Sequence, residues 1–167
     1  EMGHQFGCNH TFNNSCSGNR ASSAAYEPGS GSTIMSYSGI CAPNLQNNSD
    51  DVYHVHSLIE GTNYLHSGFG NSCATQASSG NSAPTVSVGV STFSIPKETP
   101  FELTAIATDP NPANTLTYSW EQYNLGNATS SGDNNLNNPA GNAPCIRSFA
   151  PVTSPTRVIP KVDKLVN

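Results

Sequence analysis

The sequence predicts an α+β segment over residues 1–75, a linker over 76–83 and an all-β sandwich over 84–167. Three observations carry this reading. Apolar residues recur at helical spacing between 50 and 65. Residues 67–83 are Gly, Ser and Asn with few apolar positions. Beyond Pro84 the apolar residues alternate with polar ones in short runs broken by Pro, Asn and Asp.

The chain opens Glu1-Met2-Gly3-His4-Gln5-Phe6-Gly7-Cys8-Asn9-His10. The spacing is Glu-x-x-His-x-x-Gly-x-x-His, which is the zinc-protease pattern His-Glu-x-x-His-x-x-Gly-x-x-His from its glutamate onward. A histidine on a short helix and a second one returned by a sharp turn can face one metal, and Gly7 stands where that helix must stop. Glycine tolerates the positive φ such a turn needs. Glu1 is positioned to act as general base on an attacking water. With the pattern's first histidine not in the chain, a break inside the site is expected, and the α-amine of Glu1 is a weak substitute ligand.

A second element follows a loop rich in Gly, Ser and Asn: Ser32-Thr33-Ile34-Met35-Ser36-Tyr37-Ser38-Gly39. Together the two elements resemble the metzincin clan of zinc endopeptidases, in which a tight turn carrying a methionine lies beneath the metal site. The run from Tyr26-Glu27-Pro28-Gly29-Ser30-Gly31 to Ile40-Cys41 resembles the bacterial reprolysin-like members, and the likeness covers roughly residues 1–75. It implies a fragment of a metzincin catalytic domain with zinc helix, methionine turn and C-terminal helix. It implies Zn2+ as cofactor, His4 and His10 as ligands, Glu1 as base and a protein or peptide as substrate. Met35 would be the apolar, polarisable floor. Tyr37 would hydrogen-bond the tetrahedral intermediate, although a packing role with a satisfied hydroxyl is an equal reading.

Nothing in their spacing recommends His54, His56 or His66 as ligands, and two residues apart on a helix His54 and His56 should point to different faces. The five cysteines, Cys8, Cys16, Cys41, Cys73 and Cys145, point to an oxidising compartment, and the sparsely charged composition fits a secreted, bacterial protein. Cys8 and Cys16 bracket His10 and Cys41 follows the methionine turn, so a bridge there would pin the loop around that histidine; the connectivity stays open. For Cys8, structural pairing is favoured over metal ligation, and the odd count points to a partner lost with an absent N-terminal part. Net charge is -5 and 10% of residues are charged, which argues against nucleic acid or anionic membrane as partner. No apolar run approaches the length of a membrane span.

Asn48-Ser49-Asp50-Asp51 reads as a helix start with Ser49 as N-cap, and Val52, Val55, Leu58, Ile59 and Leu65 as the apolar face of one helix over 50–65. Cys73 could tie the end of this segment back to its body. After Pro84, Val86, Val88 and Val90, then Phe101, Leu103 and Ala105, then Leu116, Tyr118 and Trp120 supply alternating runs, with Phe149, Val152, Val158, Ile159 and Val162 as further strand positions. The stretch from Pro84 to Trp120 resembles the immunoglobulin-like modules that follow catalytic domains in secreted bacterial enzymes, with Trp120 as core aromatic. About 84 residues fall short of the roughly 100 of a seven-stranded sandwich, so the module reads as incomplete. Asp109-Pro110-Asn111-Pro112 resembles a degraded calcium-binding turn; one carboxylate falls far short of the six or more oxygens Ca2+ takes, so calcium is only a minor expectation.

The expectation is therefore a zinc-dependent endopeptidase whose present chain is inactive alone and pairs with the N-terminal half of its own catalytic domain. The alternative is a non-catalytic binding or spacer module of a secreted protein.

Overall fold

The computed structural model describes residues 1–129, 136 and 141–160. The chain divides into two compact units, one of Glu1–Thr75 with Glu121–Ala150, the other of Gln76–Trp120 with Pro151–Asn167. Residues 121–150, which the alternating pattern assigns to the C-terminal module, pack instead with the histidine-bearing segment. Specific polar and aromatic contacts hold them there. Asn13 donates to the Asn127 carbonyl at 2.7 Å, Arg20 to the Gly126 carbonyl at 3.2 Å, and the rings of Tyr26 and Tyr123 stack at 4.5 Å. No periodicity in the sequence encodes such contacts.

In the first unit, α1 (Met2–Gln5) is a single helical turn with Glu1 at its N-cap position. It ends in a Schellman motif: Cys8 N–H donates to the Gly3 carbonyl and Gly7 N–H to that of His4, both at 3.0 Å, while Gly7 takes φ +80°. The longer α2 (Val55–Ser67) starts at Val55, five residues or so later than the sequence suggests. Its N-cap is His54, whose Nδ1 accepts the His56 N–H at 3.1 Å, in place of Ser49. A carboxylate from a remote segment also caps this end, Glu121 accepting the Val55 N–H at 2.6 Å.

The buried face of α2 also differs from the expected one. Leu58, Ile59 and Leu65 are exposed, whereas Ser57 is buried. Small residues on α2 face the loop that follows α1. A Cβ on Gly61 would lie 3.6 Å from Cys8 Sγ, and one on Gly7 would lie 3.3 Å from the Tyr64 ring. A disulfide joins Cys16 to Cys41, closing a loop of 25 residues, a cross-link of a size that stabilises by about 3 kcal/mol. Cys8, Cys73 and Cys145 are free, so neither the pairing expected for Cys8 nor the tie expected from Cys73 forms among the described residues.

In the second unit, β1 (Thr85–Ser87) pairs antiparallel with β3 (Ile106–Thr108), and β2 (Phe101–Thr104) with β4 (Thr156–Ile159). The registers set Val86 opposite Ala107 and Leu103 opposite Arg157. Ala105, buried between β2 and β3, is where one run of chain passes from one sheet to the other; its N–H donates to Pro155 at 3.2 Å. Trp120 is half-buried and donates from Nε1 to the same carbonyl at 2.9 Å. Tyr118 and Val152 form a further antiparallel bridge. Of the expected strand residues, Val86, Phe101, Leu103, Val158 and Ile159 lie in strands, while Val88, Val90 and Leu116 do not. Two two-stranded sheets are present among the described residues, and a seven-stranded sandwich is not formed among them. Val162 and residues 164–167 lie outside the described residues, as does much of the expected loop over 124–142.

Candidate metal centre

The short helix and its glycine turn place His4 and His10 side by side. Their Nε2 atoms lie 3.1 Å apart, with the rings edge to face at 4.7 Å between centroids. Each ring is held from behind. Nδ1–H of His4 donates to the Cys8 carbonyl at 2.8 Å, and Nδ1–H of His10 to the Asn19 carbonyl at 2.9 Å. Donation from Nδ1 leaves each neutral ring a lone pair at Nε2. Two such lone pairs at this separation repel unless a cation stands between them. A tetrahedral zinc with Zn–N bonds of roughly 2.0–2.1 Å sets two imidazole nitrogens about 3.3 Å apart. Carbonyl acceptors behind the rings are also the usual support of metal-bound histidines. The pair therefore fits a metal. No group of three His, Cys, Asp or Glu suited to a metal occurs among the described residues.

Met35 is buried directly beneath α1, and a Cβ on Gly3 would run into its Sδ. Glycine at position 3 is what allows the sulfur to reach the turn that carries His4. Thr11 N–H donates to the Met35 carbonyl at 3.1 Å, so the methionine turn also holds the segment that follows His10. Tyr37 is half-buried, stacked on Phe12 at 4.5 Å and tilted against the His10 ring at 4.6 Å. Its packing on two rings is the structural role the sequence left open beside the catalytic one. Beside it opens a cleft of about 430 Å³, lined by Ser15, Ser17, Asn19, Tyr37, Ile40 and the disulfide. Glu1 is exposed, and its side chain makes no capping bond.

Of the remaining histidines, His54 and His56 are engaged elsewhere. His54 is buried, with Nε2 3.9 Å from Glu121, and His56 lies 3.3 Å from Glu60 and 3.1 Å from the Tyr123 hydroxyl. Both rings pack on Tyr26 instead of parting as a helical spacing suggests, because His54 precedes the helix. His66 lies in the last turn of α2. In the second unit, Asp109 accepts the Asn111 N–H at 2.6 Å, the geometry of a closed Asx turn. Sequence reasoning missed Glu27, a buried carboxylate bonded to both site segments. It also missed the two carbonyls that orient the imidazoles, since a backbone group has no side-chain signature.

Residues 1–65 match the model of the metallo-peptidase family M12B, reprolysin-like. The matched stretch contains the histidine pair, the methionine turn and most of α2. This segment is thus similar to metallopeptidases over its whole candidate site. No curated protein and no solved structure matches the chain.

Proposed function

We propose that this chain carries part of the active site of a secreted zinc-dependent endopeptidase. The observation that supports it most is the pair of Nε2 atoms 3.1 Å apart, each imidazole oriented by a carbonyl. His4 and His10 would hold the metal. When bound, zinc would supply a Lewis-acidic centre able to activate water and polarise a carbonyl. Glu1 would take the proton of the attacking water and return it to the leaving amine. Tyr37 would donate its hydroxyl to the oxyanion, and the cleft beside it has room for a substrate side chain. The disulfide and the family match favour an oxidising, extracellular setting.

Two imidazoles hold zinc more weakly than the three protein ligands a catalytic site usually provides. Hydrolysis by these 167 residues alone is therefore expected to be slight, and a third donor from another segment, such as the N-terminal half of a catalytic domain, would complete the site. The second unit would act as an immunoglobulin-like spacer or binding module. Zinc titration against a competing chelator, with casein hydrolysis measured in parallel, tests the reading. Wild type should bind one zinc, and H4A or H10A should lose it. Equal binding by all three would instead favour a non-catalytic adhesion or spacer protein, and strong chelator-sensitive hydrolysis by the chain alone would refute its inactivity.

A further inference from the structure

Glu27 is 1% exposed. Its backbone is fastened beside the His10 segment: its N–H donates to the Thr11 carbonyl at 2.9 Å, and it forms a parallel bridge with Phe12. Its carboxylate reaches across to the methionine turn. Oε1 accepts the backbone N–H groups of Ser32 at 2.8 Å and Thr33 at 3.0 Å, and the Ser32 hydroxyl at 3.2 Å. Oε2 accepts the hydroxyls of Thr33 at 2.6 Å and of Thr11. Gly31, at φ +69°, closes the turn over this group; a Cβ there would sit 3.3 Å from Glu27 Cβ and Cδ.

All five donors are neutral. Burial of a carboxylate without a cation is costly, and only a full set of hydrogen bonds makes it tolerable. A carboxylate accepts at both oxygens, whereas an amide must turn a donating nitrogen toward one group of these partners. Backbone N–H groups cannot reverse, so glutamine would have to aim its nitrogen at the two threonine hydroxyls and loosen the link to Thr11. That link matters because Thr11 is bonded to His10 in sequence and to the Met35 carbonyl in space. One side chain thus ties the segment behind one candidate ligand to the turn beneath the other.

We propose that Glu27 is a positioning residue that fixes the direction of the His10 ring by locking the methionine turn to the Thr11 segment. This inference rests on the reading of His4 and His10 as a metal site. The test compares wild type, the H4A/H10A double variant, E27Q and T11V. Zinc affinity is measured by chelator competition, fold by circular dichroism, and the His10 tautomer in metal-free protein by long-range 1H–15N correlation. E27Q should remain folded, bind zinc at least tenfold more weakly, within the range typical of lost outer-shell partners, and lose the fixed Nδ1–H tautomer of His10. T11V, which removes a single hydroxyl, should move both readouts the same way by less. Folded E27Q with wild-type affinity and an unchanged tautomer would overturn the proposal. Unfolding of both E27Q and T11V would overturn it too, assigning the carboxylate to stability alone. Should wild type bind no better than H4A/H10A, the metal reading fails, while the tautomer in metal-free E27Q still decides the positioning role.

Discussion

Cys8 stands in sequence between the two candidate ligands, yet its thiol turns away from them. It is buried against α2 and donates to the Ser57 carbonyl at 3.3 Å. Burial first, and then the charge of Glu60, push its pKa above the ordinary thiol value, with a hydrogen bond from the Gly61 backbone opposing them. A thiol so placed is a poor nucleophile. At neutral pH, iodoacetamide should modify exposed Cys73 well before Cys8, as peptide mass spectrometry would show; equal rates would contradict the burial. The raised pKa means the folded state holds this proton more tightly than the unfolded chain. Its contribution to stability is present below the ordinary thiol range and is lost as pH rises through the raised value. Alkaline destabilisation should thus be smaller in C8A. At this scale His4, Gly7 and His10 were legible because their chemistry resides in side chains and in one required backbone angle. Cys8 and Asn19 act on the imidazoles through carbonyls, and Glu27 stands alone in a Gly- and Ser-rich stretch, so spacing gives no sign of them.

Among the elements, α2 shows how a correct periodicity can give the wrong face. The apolar positions Leu58, Ile59 and Leu65 do recur helically, but the side packed against the Cys8 loop is the one carrying Ser57 and Gly61. At Gly61 that loop lies at ordinary contact distance. The start of the helix was misplaced for a related reason: a remote glutamate and a histidine cap it, and neither has the local signature of Ser or Asp ahead of an apolar run. Gly61 lies inside α2, and the nearest atom to its missing Cβ is at ordinary contact distance. G61A should accordingly raise stability by about 1 kcal/mol through helix propensity alone. Denaturant titration checks it, and a loss of stability would mean the Cys8 loop approaches more tightly than this.

Over the whole molecule, a change from helical to alternating pattern near residue 80 was legible in the sequence; the first stretch of one unit stops at Thr75 and the other unit begins at Gln76. The return of residues 121–150 to the first unit was not. It depends on single contacts, Asn13 to Asn127 and Thr129, Tyr26 to Tyr123 and Glu121 to α2, between residues 66 to 116 positions apart. A chain shortened to residues 1–83 would strip these partners from the histidine-bearing segment. It should lose the dispersed amide spectrum of a folded unit, whereas full retention of that spectrum would show that residues 121–150 are dispensable.

The same threading has a consequence for biosynthesis. The segment bearing His4 and His10 is made before residues 121–150, so its unit lacks material until residue 150 has left the ribosome. At typical elongation rates the 75 residues after Thr75 take on the order of several seconds to emerge. During that interval Tyr26 and the amino end of α2 lack Tyr123 and Glu121. A nascent chain in this state is open to proteases and to chaperones.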